Sequence, residues 1–357
     1  MSATSDNRWF GDLLLSWYAE NGRQLPWRET HDPYKIWISE VVLQQTRVEQ
    51  GLPYYLRLTN RFPTVADLAE AKEDEVLKYW QGLGYYSRAR NLHAAAKHVC
   101  NNLNGHMPAT YEGLKALKGV GDYTAADIAA LAYGLPHAAI DGNGYRVLAR
   151  VFGINTPIDS TQGKKEFARL GAELVSTDNP GNFNQGLMDL GATICTPQNP
   201  QCDNCPLSGK CYALANKQWQ QLPVKEKKTK VHDRYFYYFQ ITLPDGRIIA
   251  NQRKGKDIWT GLFDFPMIEN ATALEQKDLF AGKDFKALRK RMKGLSVVKE
   301  GKSIKHQLSH QTLHATLFFC TATAATLKDC EQAVTAGEFD ELAIPRLIEL
   351  LREKEDP

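Results

Sequence analysis

Residues 117–134, LKGVGDYTAADIAALAYG, predict a helical hairpin in the first half of the chain. Gly119 and Gly121 separate a short helical pattern from a longer one, and glycine permits the tight turn that this requires. In such a turn, backbone N–H groups point outward beside the N terminus of the second helix, which suits a phosphate group. An ordinary helix–helix turn, with Asp122 or Thr124 capping the second helix, explains the same residues. The sequence therefore predicts the hairpin but leaves phosphate binding as one of two interpretations.

The domain organisation follows from a change in hydrophobic period along the chain. In residues 1–217, apolar residues recur every three or four positions, which is typical of helices separated by Gly- and Pro-containing turns. The polar, lysine-rich residues 218–233 predict a linker. Residues 234–253 then contain two β-rich runs around Pro-Asp-Gly, which is a strong hairpin signal. We therefore expect an all-α domain at 1–217 and a smaller α+β domain at 234–357.

The bulk composition is that of an ordinary globular protein, with 357 residues, of which 43% are hydrophobic and 24% are charged. A net charge of +3 does not by itself indicate a nucleic-acid partner, although basic residues cluster at 225–230 and 286–294. No run approaches the ~18 consecutive apolar residues of a membrane span, and the N terminus lacks the pattern of a secretory signal peptide. The sequence thus predicts a cytoplasmic protein with no membrane partner.

Four of the seven cysteines crowd into residues 195–211 with the spacing C-x6-C-x2-C-x5-C. In a chain without a secretory signal, such a group indicates a metal site rather than a disulfide framework. Structural zinc sites usually pair two close Cys-x2-Cys turns, whereas this loop has one, and its wider spacings suit a larger cluster. The spacing favours a [4Fe–4S] cofactor without excluding zinc. The predicted ligands are Cys195, Cys202, Cys205 and Cys211.

Glu40 is a carboxylate in an apolar setting, within the stretch WISEVVLQQT (37–46). On a helix, Ile36, Trp37 and Leu43 lie three or four positions away and surround it on its own face. Burial raises the pKa of such a carboxyl from about 4.3 toward neutrality, because the charged form loses its water. The position leaves two interpretations, a poorly placed surface residue or a carboxyl group that retains its proton.

Asp141 is a second notable carboxylate, in AAIDGNGYRVLAR (138–150), after an apolar run and before a predicted helix. Asp-Gly and Asn-Gly are turn formers, so a loop with Asn143 as helix cap explains the same stretch. A second carboxylate at a loop–helix junction after the hairpin, with Glu40 unexplained, favours a paired chemical role.

The hairpin, the Asp141 loop and the cysteine loop, in this order, resemble the iron–sulfur helix–hairpin–helix DNA glycosylases. Four further motifs resemble the adenine-specific family within them: LPWR (25–28), SEVVLQQTRV (39–48), GLGYYSRARNL (82–92) and GLFDFP (261–266). The resemblance covers nearly the whole chain. It implies an all-α glycosylase domain with an iron–sulfur loop, followed by an α+β, Nudix-like domain for lesion recognition. The implied partner is duplex DNA with adenine opposite 8-oxoguanine or guanine. The implied reaction is hydrolysis of the N-glycosidic bond of that adenine, which leaves an abasic site.

The resemblance also implies roles for individual residues. Glu40 would protonate adenine and then activate water, while Asp141 would stabilise the oxocarbenium-like sugar. Tyr123 matches an active-site tyrosine, and Asn143 an asparagine that supports Asp141. The residues implied in DNA or lesion binding are Gln44, Gln45, Thr46, Leu83, Tyr85, Gly119, Gly121, Ser309 and His310. We expect a monofunctional, monomeric bacterial enzyme, associated with the nucleoid through its DNA.

Three positions depart from the family pattern. Gly144 replaces a valine beside Asp141, which predicts looser positioning of that carboxylate. Asp127 stands on the second hairpin helix where the family has a small neutral residue, and it would weaken phosphate binding if it faced the DNA. Leu308 precedes Ser309 in place of an aromatic residue.

Three other functions fit the sequence less well. A bifunctional lyase of the endonuclease III type needs a lysine for its Schiff base where this chain has Tyr123. A Nudix pyrophosphatase needs a glutamate-rich metal helix of the type R-E-x-x-E-E, which residues 234–357 lack. A non-catalytic DNA-binding protein would not need both Glu40 and Asp141.

Overall fold

The computed structural model describes residues 7–226 and 231–353. The chain divides into two compact units. The helical unit contains residues 7–69 and 94–226, and the sheet unit contains residues 70–93 together with the C-terminal part of the chain. Residues 70–93 thus join the sheet unit although they lie within the expected helical domain. None of the helices in the described part of the chain has the length and apolar character needed to cross a bilayer.

The helices account for most of the chain before residue 216. In chain order they are α1 (Arg8–Asn21), α2 (Pro33–Leu43), α3 (Val48–Arg61), α4 (Val65–Glu70), α5 (Glu73–Trp80), α6 (Ser87–Asn102), α7 (Tyr111–Lys115), α8 (Asp122–Tyr133), α9 (Gly142–Phe152), α10 (Thr161–Leu174), α11 (Pro180–Asp189), α12 (Tyr212–Ala215), α13 (Gln276–Ala281), α14 (Lys283–Arg291), α15 (Ala336–Glu341) and α16 (Arg346–Arg352). Short 3-10 and π-helical turns lie at Pro26–Arg28, Leu190–Ile194, Cys202–Asn204 and Ser208–Lys210.

The predicted hairpin is formed by α7 and α8. Gly119 has a φ of +84°, a left-handed conformation that glycine adopts without steric cost. Gly121 occupies the N-cap of α8, and neither Asp122 nor Thr124 caps that helix with its side chain. Helix α8 is rich in alanine and is buried along most of its length, which allows close packing of its neighbours. The hairpin thus leaves the N terminus of α8 without a side-chain cap from the described residues.

The core of the helical unit joins helices that are distant in sequence. Phe10 of α1, Phe167 of α10 and Phe183 of α11 are almost completely buried in one cluster. Leu222 packs into the same cluster, and the Val224 carbonyl accepts a 3.0 Å hydrogen bond from the N–H of Ile158. The first part of the predicted linker is therefore attached to the helical unit. Residues 227–230 of that linker lie outside the described residues.

The sheet unit is built on a mixed seven-stranded sheet in which β3-β2-β1-β7-β6 form the main order. The strands are β1 (His232–Thr242), β2 (Ile248–Gln252), β3 (Phe263–Asp264), β4 (Met267–Asn270), β5 (Met292–Lys293), β6 (Ser296–Gln307), β7 (Gln311–Thr321), β8 (Ala324–Ala325) and β9 (Glu331–Val334). Strand β4 pairs with β1, and β9 pairs with β2, while β5 and β8 form a separate pair. Strands β1 and β7 run parallel, and β1 and β2 form the predicted hairpin.

Alternation along β1 builds a core on each face of the sheet. Phe236 and Tyr238 pack into one buried cluster, and Phe239 and Ile241 pack into the other. Helix α16 buries Leu347, Ile348 and Leu351 in the described structure. The expected fold class, an all-α unit followed by an α+β unit, is confirmed.

Candidate active site

A cavity of about 570 Å³ in the helical unit gathers many of the residues singled out from sequence. Its size lies in the range of small-molecule sites. The predicted residues that line it are Glu40, Gln44, Gln45, Thr46, Tyr123, Asp141 and Asn143. Further lining residues, which sequence reasoning did not single out, include Arg23, Arg28, Gln185 and Met188. The cavity thus brings both carboxylates of interest to one enclosed space.

Glu40 lies near the C-terminal end of α2 and is only 4% exposed. Its carboxyl group is hydrogen-bonded to the hydroxyl of Tyr123 and to the carboxyl group of Asp127, both on α8. Burial raises the pKa of Glu40 well above its usual value, and the negative charge of Asp127 raises it further. The sequence correctly indicated burial, but it did not indicate a second carboxyl group in contact with Glu40.

Asp127 is completely buried and does not face a DNA-binding surface. It lies four residues after Tyr123, so both side chains project from the same face of α8 toward Glu40. The condition under which Asp127 would weaken phosphate binding, a side chain that faces the DNA, is therefore not met. Its Oδ2 accepts a 3.1 Å hydrogen bond from Gln185 Nε2. Burial raises the pKa of Asp127 to about 6, with hydrogen bonds and Arg28 opposing that rise.

A buried network fixes the orientation of Gln185. Arg28 Nε donates to Gln185 Oε1 at 2.6 Å, while its two terminal nitrogens donate to the Asp189 carboxylate at 2.7 and 2.8 Å. Arg23 also pairs with Asp189, at 2.6 Å. Because Oε1 of Gln185 accepts from an arginine, its amide nitrogen must be the atom that faces Asp127. Arg28 belongs to the quoted LPWR motif, which was the only sequence signal for this network.

Asp141 is the N-cap residue of α9, and both of its carboxylate oxygens accept hydrogen bonds. Oδ1 accepts from the Gly144 N–H and Oδ2 from Asn143 Nδ2, each at 2.8 Å. Burial raises the pKa of Asp141, and these hydrogen bonds lower it. Gly144 supplies one of these donors through its backbone N–H, and the expected loosening by this glycine stays a prediction. A Cβ at position 144 would lie 3.2 Å from both Ile140 and Leu187, which is a tight fit.

Arg146 connects this carboxylate to the cysteine loop. Its Nη2 donates to Asn143 Oδ1 at 2.9 Å and to the Gly191 carbonyl at 2.7 Å, while Nε donates to the Cys195 carbonyl at 2.7 Å. Asn143 therefore presents its amide nitrogen to Asp141. Sequence reasoning did not single out Arg146, since an arginine early in a helix is ordinarily a solvated residue.

The four loop cysteines lie around one small cavity with apolar walls, and none forms a disulfide. Arg150 Nη1 donates to Cys195 Sγ at 3.4 Å. Burial raises the pKa of Cys205 to about 11, and a bound metal would stabilise its thiolate form. Four thiols around one partly buried pocket fit the ligand set of an iron–sulfur cluster. Among the described residues, no three His, Cys, Asp or Glu side chains lie close enough together to bind a single metal ion.

A second, more open groove of about 920 Å³ runs along the hairpin. It is lined by Gly119 and Gly121, and by Lys164 and Lys165 of α10. Cations beside the uncapped N terminus of α8 create a surface that favours an anion. Gln45, at the mouth of the 570 Å³ cavity, is exposed and has a φ of +57°, a strained conformation for a residue other than glycine.

In the sheet unit, Ser309 and His310 lie in the exposed turn between β6 and β7. The hydroxyl groups of Ser309 and Tyr85 are hydrogen-bonded to each other. Tyr85 is 44% exposed with a φ of +46°, whereas Leu83 is only 5% exposed. Leu308 packs against the core on one face of the sheet, which accounts for an aliphatic residue there.

Comparison with known proteins gives this geometry its context. Residues 38–175 match the HhH-GPD superfamily of base excision DNA repair proteins, residues 195–211 the iron–sulfur binding domain of endonuclease III, and residues 237–354 the NUDIX domain. The chain is 35% identical to an adenine DNA glycosylase of Buchnera aphidicola subsp. Schizaphis graminum, over 85% of each chain. This chain belongs to the adenine DNA glycosylase family. It is also 44% identical to the Homo sapiens adenine DNA glycosylase, over 60% of this chain and 41% of that one.

Two solved structures share the fold of part of this chain. A thermostable thymine-DNA glycosylase is 31% identical and superimposes with a TM-score of 0.54, covering 58% of this chain and 95% of the other. A non-covalent endonuclease III–DNA complex shares the fold, with a TM-score of 0.51 and 22% identity over 59% and 95% of the two chains. As a member of the adenine DNA glycosylase family, the chain is a DNA repair hydrolase that binds DNA and excises adenine. The match of residues 195–211 to the iron–sulfur binding domain confirms the expected iron–sulfur cofactor.

Proposed function

We propose that this glycosylase removes adenine that is paired with 8-oxoguanine or guanine in duplex DNA, leaving an abasic site. The observation that carries this proposal is the pairing of two different carboxyl groups in one cavity. Glu40 is buried and has a raised pKa, which suits a proton donor, whereas Asp141 is held by two hydrogen-bond donors, which suits a fixed anion. This division of roles is what cleavage of an N-glycosidic bond requires.

In the proposed reaction, adenine leaves the base stack and enters the 570 Å³ cavity. Glu40 donates its proton to a ring nitrogen of adenine, which makes the base a better leaving group. As the bond to the sugar breaks, Asp141 stabilises the positive charge that develops on the sugar. Glu40, now a carboxylate, takes a proton from water as that water attacks the sugar. Tyr123 is proposed to position Glu40, and Asn143 to position Asp141.

We propose that the four cysteines hold a [4Fe–4S] cluster. This cluster would serve as a structural cross-link of residues 195–211. The protein side chains around the cavity would then carry the chemistry. Arg146 supports this arrangement, because it contacts both the loop backbone at Cys195 and the side chain of Asn143.

The enzyme is further proposed to hydrolyse the bond without cutting the DNA strand. A glycosylase with lyase activity needs an amine that attacks the sugar. Tyr123 occupies the position expected for that lysine, and its hydroxyl is engaged with Glu40 and Met188. The cavity lining in the described residues contains no lysine. These features support a monofunctional glycosylase.

Contact with the DNA is proposed for three surfaces. In the helical unit, the hairpin groove with Gly119 and Gly121 would bind backbone phosphates. Gln44 and Thr46 would contact DNA near the extruded base, and the strained, exposed Gln45 would enter the stack. In the sheet unit, Tyr85 is the exposed residue for a similar role, whereas the burial of Leu83 means that it must move before it can insert.

Recognition of the oxidised guanine is proposed for the turn that carries Ser309 and His310. Adenine is an undamaged base, so a check on its partner is needed to spare correct adenine–thymine pairs. Both side chains offer groups that can hydrogen-bond to a purine edge, and the Tyr85 hydroxyl holds Ser309. Each good contact to a base edge contributes about 1–3 kcal/mol of discrimination.

The test is single-turnover excision of adenine opposite 8-oxoguanine and opposite guanine, by the full chain. We expect Ser309→Ala combined with His310→Ala to lower the ratio of the two rates by about tenfold or more. Ser303→Ala is the matched control, since Ser303 is an exposed serine on β6 that bonds to Thr316. An unchanged ratio in the double variant would refute the role of this turn. Full-length protein is required, because residues 70–93 pack within the sheet unit.

The remaining elements of the proposal concern organisation. The catalytic domain is proposed as residues 1–217 and the lesion-recognition domain as residues 234–357. The working unit is proposed to be a monomer, in the bacterial cytoplasm.

A further inference from the structure

Asp127 forms an unusual contact with Glu40, the proposed proton donor. Both side chains are buried, Asp127 completely, and their carboxyl groups are hydrogen-bonded to each other. Two ionised carboxylates cannot hydrogen-bond, so this contact requires that the pair share one proton. Asp127 does not line the cavity, which means that it can act on a substrate only through Glu40.

The surrounding donors decide which partner holds that proton. Gln185 presents its amide nitrogen to Asp127 Oδ2 because Arg28 occupies its oxygen. The neighbouring Asn184 is held elsewhere, since its Nδ2 donates to the His137 carbonyl and its Oδ1 accepts from the Ala139 N–H, each at 3.0 Å. Amide donors stabilise the ionised form of the carboxyl group that they contact. Asp127 is therefore the anion of the pair.

The other oxygen of Asp127 completes the argument. Oδ1 is buried and meets no N–H or O–H donor among the described residues. A buried carboxylate oxygen without a donor is costly, and a protonated Glu40 removes that cost. The titratable, charged and amide groups around the pair are Tyr18, Arg23, Arg28, Tyr123, Asp141, Asn184, Gln185 and Asp189.

We propose that Asp127 is a positioning residue that keeps the excision proton on Glu40 and makes Glu40 a strong base once that proton has been given away. This inference rests on the proposed role of Glu40 as the acid. Before the reaction, Glu40 is neutral and Asp127 is ionised. When the proton passes to adenine, the bond electrons leave with the base, and two carboxylates then face each other.

Proximity of these two negative charges favours the next step. Water gives its hydroxyl group to the sugar and its proton to Glu40, which restores the original pair. Because repulsion from Asp127 disfavours an ionised Glu40, it favours this recovery of the proton. Above its pKa of about 6, Asp127 stays ionised throughout, so no additional proton donor or acceptor is required.

The proposal predicts how the pH profile of excision depends on Asp127. Activity requires protonated Glu40, so the single-turnover rate is highest at low pH and falls as the pH rises through the pKa of Glu40. In Asp127→Asn the negative charge is gone, and the new amide can donate to an ionised Glu40, so that pKa is lowered. We expect the pH at which the excision rate falls to be lower by about one unit or more in this variant. At pH values above that point, the rate should therefore be about tenfold lower than that of the wild type.

The decisive comparison is made at both ends of the profile. Near pH 5.5, Asp127→Asn should excise adenine at a rate close to that of the wild type, because Glu40 is protonated in both. Asp67→Asn is the matched control, a half-buried aspartate in α4 that bonds to Thr64. Iron content and thermal unfolding of each variant establish that the fold is retained. Asp127→Ala, which removes the carboxyl group without adding a donor, should move the profile in the same direction.

Two results would overturn the proposal. An unmoved alkaline limb in folded Asp127→Asn, or a loss of rate that is equal at every pH, would show that Asp127 has a structural role alone. Failure of the proposed acid is distinguishable, since in that case Glu40→Gln would retain excision activity. The proposal thus requires an inactive Glu40→Gln together with a shifted profile in Asp127→Asn.

Discussion

Asn143 donates a 2.8 Å hydrogen bond from Nδ2 to Oδ2 of Asp141, and its own carbonyl oxygen is held by Arg146 at 2.9 Å. The other oxygen of Asp141 accepts from the N–H of Gly144. The carboxylate is thereby fixed at the edge of the cavity before any substrate enters. Such preorganised charge is more effective than charge that must reorient during the reaction.

Substitution of Asp141 by asparagine should separate its charge from its capping role. An asparagine still accepts the N-cap hydrogen bond of α9, so the fold and duplex binding should persist. Loss of the negative charge should lower the single-turnover rate of adenine excision by about 10²–10³-fold. Asp32→Asn is the matched control, because Asp32 also caps a helix, accepting from the Tyr34 N–H at 2.9 Å. Equal, small effects of both variants would argue against an electrostatic role for Asp141.

The cysteine loop should lose its cluster when one predicted ligand is removed. We expect about four irons per chain in anaerobically purified wild-type protein and little zinc. Cys205→Ser should lower the iron content and the temperature of thermal unfolding. Cys100→Ser is the control, since Cys100 lies in the same unit but bonds to the Val65 carbonyl at 3.8 Å. One zinc ion per chain in place of iron would contradict the proposed cofactor.

Strand cleavage should be negligible, because the cavity lining in the described part of the chain contains no lysine. Borohydride reduces a Schiff base to a stable link, so it traps enzymes that attack the sugar with lysine. The wild-type chain, incubated with substrate duplex and borohydride, should give little covalent complex. Breaks at the abasic site should appear only after alkali treatment. Efficient trapping would identify a lysine outside the described cavity lining as nucleophile and refute the monofunctional proposal.

The sequence predicted the parts of the site that depend on local pattern. Burial of Glu40 follows from its apolar neighbours on one helix, and the capping position of Asp141 follows from its junction before α9. Both features depend on residues within about one helical turn, and the three-to-four-residue period shows them directly. The same holds for the cysteine loop, whose ligands are close in sequence.

The contacts between distant segments could not be predicted in this way. Asp127 contacts Glu40 only because α2 packs against α8. Gln185 contacts Asp127 only because α11 also packs against α8. Nothing in the local pattern of α8 distinguishes a buried aspartate with partners from an exposed one. Likewise, residues 70–93 show a helical period whether they pack in the helical unit or in the sheet unit. Tertiary packing decides these cases, and it depends on the whole chain.

The most direct test of the central claim is single-turnover excision of adenine from a duplex containing adenine opposite 8-oxoguanine, by wild type and Glu40→Gln. The amide has nearly the same shape as the acid but cannot deliver the proton, so base release should be abolished while binding of the duplex, measured at one salt concentration, should persist. Substantial adenine release by Glu40→Gln would contradict the account, because it would mean that another group protonates the base.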